Sequence, residues 1–245
     1  MPDSQTNFVN FAPSIELSST HSFSGINIMQ RYFIQFSYNG TRYHGWQIQQ
    51  NSNTVQAELE KALSTIFEES VQTVGCGRTD AGVHARDFYA HFDSEDLKLD
   101  HPDRVFKLNK FLPHDIAIKR IIKVGADAHA RFSATARTYK YYIAKEKDPF
   151  SFGLAHYFYG KLDVARMRDA SEILFEFEDF GAFSKSKTQT FTNNCTIMQA
   201  DWQEDEEKFI FTIKANRFLR NMVRAIVGTL IDVGRKKISL EEFRQ

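Results

Sequence analysis

Arg78, Asp80 and His84 stand within a short Gly-rich stretch, GCGRTDAGVHA at residues 75–85. An ionised, positioned carboxylate is what nucleophilic or general-base catalysis requires. Arg78 lies two residues before Asp80, near enough to pair with it if the turn folds back, and such pairing would keep the carboxylate charged. Glycine permits positive φ and lets backbone approach a ligand closely. An Asp in a Gly-rich turn also serves simply to stabilise the turn, with Arg78 as a surface charge. Spacing alone leaves both readings open. Gly75, Gly77 and Gly82 do not fit the dinucleotide-binding G-x-G-x-x-G. Nor is this a Walker A loop, because Val83 and His84 stand where Lys and Ser/Thr must meet phosphate and magnesium.

Other chemistry finds little support. His84, His91, His129 and His156 form no H-E-x-x-H and no two-His-one-carboxylate spacing, so no metal centre is expected. No G-x-S-x-G elbow supports a Ser-His-Asp triad. Cys76 and Cys195 are the only cysteines and form no C-x-x-C pair. They give neither a disulfide framework nor a thiolate zinc site, and a reducing, cytoplasmic compartment is the simplest home. No run approaches the roughly 18 apolar residues that span a bilayer.

The elements that must position Asp80 follow from periodicity. Tyr32, Ile34, Phe36 and Tyr38 alternate on one face of a strand that Gly40 breaks. Thr54 is placed to cap a helix carrying Val55, Leu59, Leu63, Ile66 and Phe67. A strand at Val71–Val74 enters the Gly-rich turn and another at Phe88–Phe92 leaves it. A helix over Asp103–Leu112 and a strand at Ile116–Val124 complete a β-α-β-β-α-β order, the ferredoxin-like motif. The remainder repeats the theme: strands at Arg137–Ala144 and Ala155–Tyr159, a helix from Asp163 to Phe175, strands at Thr196–Trp202 and Phe209–Ala215, and a helix over Phe218–Val233. The expectation is an α+β protein of two ferredoxin-like lobes, 29–127 and 128–245, joined through a mixed, mainly antiparallel sheet with a cleft between them. Residues 1–28 read as a disordered leader, poor in sustained apolar pattern and without Lys or Arg, and Met29 is a candidate start.

Formal charge over the 245 residues is zero, which argues against a uniformly basic nucleic-acid coat. Its distribution is uneven. Residues 119–145 carry seven basic side chains against Asp127 alone, and residues 214–237 carry seven against Asp232 alone. Residues 161–210 compensate, with eleven acidic side chains against six basic. In the first basic segment Phe132, Tyr139, Tyr141 and Tyr142 are interleaved with the cations, a composition that suits phosphate neutralisation together with base stacking. The same pattern also describes a solvated edge strand with an aromatic core face. Phe is abundant, 23 residues, and serves either a Phe-rich core or stacking on bases.

The stretch GCGRTDAGVHARDFYAHFD, residues 75–93, closely resembles the signature of the bacterial tRNA pseudouridine synthase A family. Three further stretches agree with it in order and spacing: FSYNGTRYHGWQIQQNSNTVQAELEKAL at 36–63, HARFSATARTYKYYI at 129–143 and KANRFLRNMVRAIVGTLIDVG at 214–234. The resemblance covers Met29 to about Gly234. It implies a homodimeric, cofactor-free and metal-free isomerase that converts uridine to pseudouridine at positions 38, 39 and 40 of the tRNA anticodon arm. It implies that Asp80 is the catalytic carboxylate, attacking C1′ or removing a sugar proton, with Arg78 and Arg224 in support. Tyr139 would contact the target uracil, and Ala128, His129, Ala130, Arg131 and Phe132 would lie on a tRNA-contacting segment. The family pattern usually continues past Gln245 into a further strand, so the second lobe is expected to lack its last strand. A noncatalytic RNA-binding module of the same fold is the rival reading, since the basic segments would serve it without Asp80.

Overall fold

The computed structural model describes residues 7–11, 29–184 and 191–245. Chain contacts divide it into two compact units, the first over Phe8–Thr135 and the second over Ala136–Gln245 together with Asn7. Both are α+β.

In the first unit, β1 (Asn7–Phe11) precedes β2 (Gln30–Tyr38), α1 (Val55–Phe67), β3 (Val74–Gly75), β4 (His84–Ser94), α2 (Pro102–Phe111) and β5 (Ile116–Lys123). β2 lies antiparallel between β4 and β5, and β3 runs antiparallel along the other edge of β4. This is the ferredoxin-like order read from the sequence. β1 adds a parallel pairing to β4, Phe8 opposite His84 and Val9 opposite Ala85. It falls inside the stretch expected as a leader, whose residues 1–6 and 12–28 lie outside the described residues.

Two strands differ from expectation because of the elements packed beside them. The strand expected over Val71–Val74 is cut to Val74–Gly75 because α1 takes its backbone donors: Val71 N–H binds Ser64 Oγ at 3.0 Å and Thr73 N–H binds Glu60 Oε1 at 2.7 Å. β4 starts at His84 rather than Phe88, its early residues being paired with β1 and with Tyr38 of β2.

The period-2 alternation separates two faces of this sheet. Tyr32, Ile34 and Phe36 stand opposite Phe92, Ala90 and Phe88, and their face carries the main core. α1 closes that face through buried Val55, Leu59, Ala62 and Leu63, with Phe67 stacked on Phe92. Thr54 caps α1 as its sequence position indicated, its side chain accepting from Ala57 N–H. On the opposite face Arg31, Phe33 and Gln35 meet Asp93, His91 and Tyr89. The turn at residues 128–133 is hydrogen-bonded to Arg31 and His91, so the first unit extends to Thr135 instead of ending at Asp127.

In the second unit come β6 (Arg137–Ala144), β7 (His156–Tyr157), α3 (Val164–Ile173), β8 (Ile197–Glu204), β9 (Lys208–Ala215), α4 (Met222–Gly234) and α5 (Leu240–Arg244). β9 lies antiparallel between β6 and β8, and β7 pairs parallel with the far edge of β6. α3 and α4 bury Met167, Ala170, Ile226, Val227 and Leu230 with Phe211, Ile213 and Trp202 of the sheet. α4 starts at Met222 rather than Phe218 because Asn221 adopts a left-handed φ of 68°. α5 follows α4, opened by a Ser239–Glu242 capping box.

Candidate active site

Asp80 sits in the connection between β3 and β4, and its side chain is exposed. The backbone on both sides of it is fixed. Thr79 carbonyl accepts from Trp46 N–H at 3.3 Å, and Gly82 N–H donates to Tyr43 carbonyl at 3.1 Å. Thr79 Oγ1 and Tyr38 Oη are hydrogen-bonded at 2.9 Å, while Val83 N–H closes the turn onto Asp80 carbonyl at 3.2 Å. The outside partners of Thr79 and Gly82 named here all come from residues 38–46, the end of β2 and the segment that leaves it.

Such close apposition requires residues without side chains. A Cβ on Gly40 would lie 2.0 Å from Val83 carbonyl oxygen, and one on Gly45 would lie 2.2 Å from that of Thr79. Gly45 also has φ +90°, which L side chains rarely adopt. The supporting segment is itself anchored. Gly40 N–H donates to Nδ1 of buried His84 at 3.1 Å, and Asp115 accepts from Arg42 and Tyr43, each at 2.7 Å. Burial would raise the Asp115 carboxyl, but those two hydrogen bonds together with the Arg42 charge and a backbone hydrogen bond hold the group below the usual carboxylate range. Val55 and Gln56, whose N–H groups open α1, donate to Gly45 and Trp46 carbonyls. Helix, support and Asp80 loop are therefore one hydrogen-bonded assembly.

The expected Arg78–Asp80 ion pair is not formed among the described residues; both side chains stand exposed. The loop takes its shape from backbone bonds at Thr79 and Gly82, so no carboxylate–guanidinium contact is needed to fold it. His84 is directed inward to Gly40, and among the described residues no group of three His, Cys, Asp or Glu is arranged to hold a metal ion. Cys76 and Cys195 are both buried and form no disulfide among the described residues.

Ala128, His129, Ala130, Arg131 and Phe132 form the turn on the opposite face of the same sheet. His129 Nδ1 accepts from the N–H groups of Arg131 (3.1 Å) and Phe132 (3.2 Å), and Ser133 N–H returns to His129 carbonyl at 2.8 Å. Ala130 is buried, whereas Phe132 is 77% exposed and lies 4.3 Å from the His129 ring. The Arg131 guanidinium lies 5.8 Å from the Phe132 ring. A cation and an aromatic face are thus displayed together at the surface. Burial, then the charges of Arg31 and Arg131, lower the His129 pKa.

Tyr139 and Arg224 belong to the second unit. Tyr139 lies on the β6 face that packs toward the second core, half-buried, its ring edge-on to Phe218 at 5.0 Å. Tyr141 shares that face; burial raises its phenol pKa, with the charge of Arg224 acting against the rise. The aromatic-core reading of this strand therefore describes its packing. Arg224 is exposed on α4.

Tyr38, Gly40, Tyr43, Gly45, Trp46 and His84 form the support that residue-by-residue reading did not assign. The signal was available in YNGTRYHGW, where two glycines alternate with aromatics just after a strand.

A family model described as tRNA pseudouridine synthase matches residues 34–133 and 177–245. The chain is similar to proteins named tRNA pseudouridine synthase A. That of Bacteroides thetaiotaomicron is 54% identical over 220 residues, which cover 89% of this chain and 81% of that protein. That of Bacteroides fragilis is 52% identical over 218 residues, 89% and 86% of the two chains. The Listeria monocytogenes protein is 37% identical over 223 residues, 89% of each.

Proposed function

The chain belongs to the tRNA pseudouridine synthase family and is an isomerase; from that premise we propose that it converts uridine to pseudouridine at positions 38, 39 and 40 of the tRNA anticodon stem-loop, with Asp80 as the catalytic carboxylate. The observation that carries the assignment is the setting of Asp80, an exposed carboxylate on a loop whose backbone is fixed at Thr79 and at Gly82. A catalytic group gains most when its support holds it in place before substrate arrives.

The reaction breaks the bond from N1 to C1′, turns the uracil, forms a bond from C5 to C1′, removes the C5 proton and leaves a proton on N1. Atoms and electrons balance within one nucleotide. The work of the protein is to expose the nucleoside, act on the sugar and hold the freed base. Asp80 acts in its ionised form on the ribose. Arg78, two residues away in the same exposed loop, supplies the cation that keeps the carboxylate charged once RNA excludes water, and Arg224 supports the site. Tyr139 takes the uracil. A base within a stem must be extruded, at a cost of a few kcal/mol. Contacts from Ala128–Phe132 and from the basic segments to phosphate and sugar offset that cost. The protein acts as a homodimer in the cytoplasm.

Mapping pseudouridine along unmodified tRNA after treatment with the protein tests the reading. Pseudouridine confined to positions 38–40 is expected. Modification elsewhere, with those positions untouched, contradicts the substrate assignment.

A further inference from the structure

We infer that Arg31, His91 and Asp93 are positioning residues for the substrate, clamping the 128–133 turn to the sheet so that Arg131 and Phe132 are presented to tRNA in one fixed arrangement. The inference rests on the proposed function above, in which this turn touches RNA. None of the three side chains is in the turn itself, and none has a part in the chemistry.

The geometry has two attachment points. Arg31, on β2, binds Asp93 through Nε and through its second terminal nitrogen, each at 2.8 Å. Its remaining terminal nitrogen donates to Ala128 carbonyl at 3.1 Å. One guanidinium is therefore held as a fork by a carboxylate across the β2–β4 ladder and spends its free donor on the start of the turn. Two positions from Asp93 on β4, His91 Nδ1 accepts from Ala130 N–H at 3.1 Å. With Nδ1 as acceptor, the proton of this neutral ring lies on Nε2. Both Ala130 and His91 are buried, so without His91 that N–H would be left unsatisfied.

The rings continue the connection outward. Phe33 and His91 are a cross-strand pair with centroids 6.1 Å apart; His91 meets His129 edge-on at 4.5 Å, and His129 lies 4.3 Å from Phe132. The series runs from a core ring to one that is mostly exposed. Burial, with the charges of Arg31 and His129 adding to it, pushes His91 down to about 4. The ring is neutral at pH 7, and its Nδ1 lone pair is available to the turn.

A rigid presenter affects how well tRNA binds rather than how fast bound tRNA reacts. His91→Phe keeps a buried ring but removes the acceptor, whereas His91→Asn places a carbonyl oxygen near the position of Nδ1. The expected result is a KM for tRNA raised about tenfold in His91→Phe, with kcat within about twofold of wild type and KM largely restored in His91→Asn, the scale of one buried hydrogen bond. Phe132→Ser is assayed alongside. An unchanged KM in Phe132→Ser overturns the premise that the turn meets RNA, and the clamp with it. A raised KM in Phe132→Ser with an unchanged KM in His91→Phe overturns the clamp alone, as does a fall in kcat at constant KM. If His91→Phe does not fold, Arg31→Gln, which loses the fork and whose side chain is only partly buried, is read by the same criteria.

Discussion

The Asp80 loop and the 128–133 turn belong to one unit and are immobilised by opposite means. The first is held mainly by backbone against backbone, with Thr79 and Gly82 bonded to main-chain atoms of Trp46 and Tyr43, glycines where the two segments approach, and the Thr79–Tyr38 and Gly40–His84 bonds beside them. The second is held by side chains against backbone, with Arg31 on Ala128, His91 on Ala130, and His129 on its own following residues. Main-chain anchors do not titrate and tolerate no added bulk. Imidazole anchors accept some change of shape but depend on protonation. The loop that holds the proposed catalytic carboxylate has the mounting that leaves least freedom, and the proposed RNA-contacting turn has the one that side chains can tune.

The largest effect should come from adding a single carbon to the first mounting. In Gly45→Ala the new Cβ meets Thr79 carbonyl at 2.2 Å in a backbone conformation unfavourable to alanine. The loop and the start of α1 must both shift. Displacement of about 1 Å at a catalytic group costs on the order of 100-fold in rate, so kcat should fall by about that factor, with a stability loss of about 2–4 kcal/mol. Near-normal kcat in a folded Gly45→Ala protein would break the contrast, because the loop would then be adaptable.

Acid should separate the two mountings more gently. His91 is pushed down to about 4 in the folded protein, whereas an unfolded histidine titrates near its ordinary value of 6.5. Between those pH values the unfolded chain binds more protons than the folded one. The stability due to neutral His91 is therefore full above about 6.5, declines as pH falls and is lost once pH passes below about 4. Protonation removes the acceptor for Ala130 N–H but leaves the Gly82 N–H bond to Tyr43 carbonyl unaffected. Hydrogen exchange should show the protection factor of Ala130 falling relative to that of Gly82 as pH drops from 6.5 toward 4. Parallel behaviour of the two amides would contradict the distinction.

Much of the scaffold was legible because local pattern and tertiary role coincide. The alternation from Tyr32 to Tyr38, the stripe of α1 behind Thr54 and the apolar stripe of α4 each meet a core that the period itself creates. Boundaries drifted where a distant residue decides. Val71 and Thr73 lose their strand to side chains of α1, and His84 gains one from β1. Asp80 stood out as a carboxylate in a Gly-rich turn, but its support did not. The need for glycine at 40 and 45 arises from contact with Val83 and Thr79, far along the chain. For the same reason His91 read as one more histidine in a strand. Only the fold shows that Ala130 N–H depends on it. Aromatic abundance was ambiguous in sequence, and the structure divides it: Phe33, Phe36, Phe88, Phe92, Phe180 and Phe211 are core, while Phe132 is displayed.

The central claim is that Asp80 performs chemistry and is not simply part of an RNA-binding surface. Asp80→Asn keeps size and hydrogen-bonding capacity while removing the charge, and the exposed side chain makes no ion pair among the described residues that folding would miss. Pseudouridine yield and tRNA affinity should be measured on the same preparation. Affinity within about threefold of wild type is expected, with a yield lower by at least about a thousandfold, the scale of losing a catalytic group that acts in the transition state. Retained yield at positions 38–40 would contradict that claim and return Asp80 to the role of a turn residue.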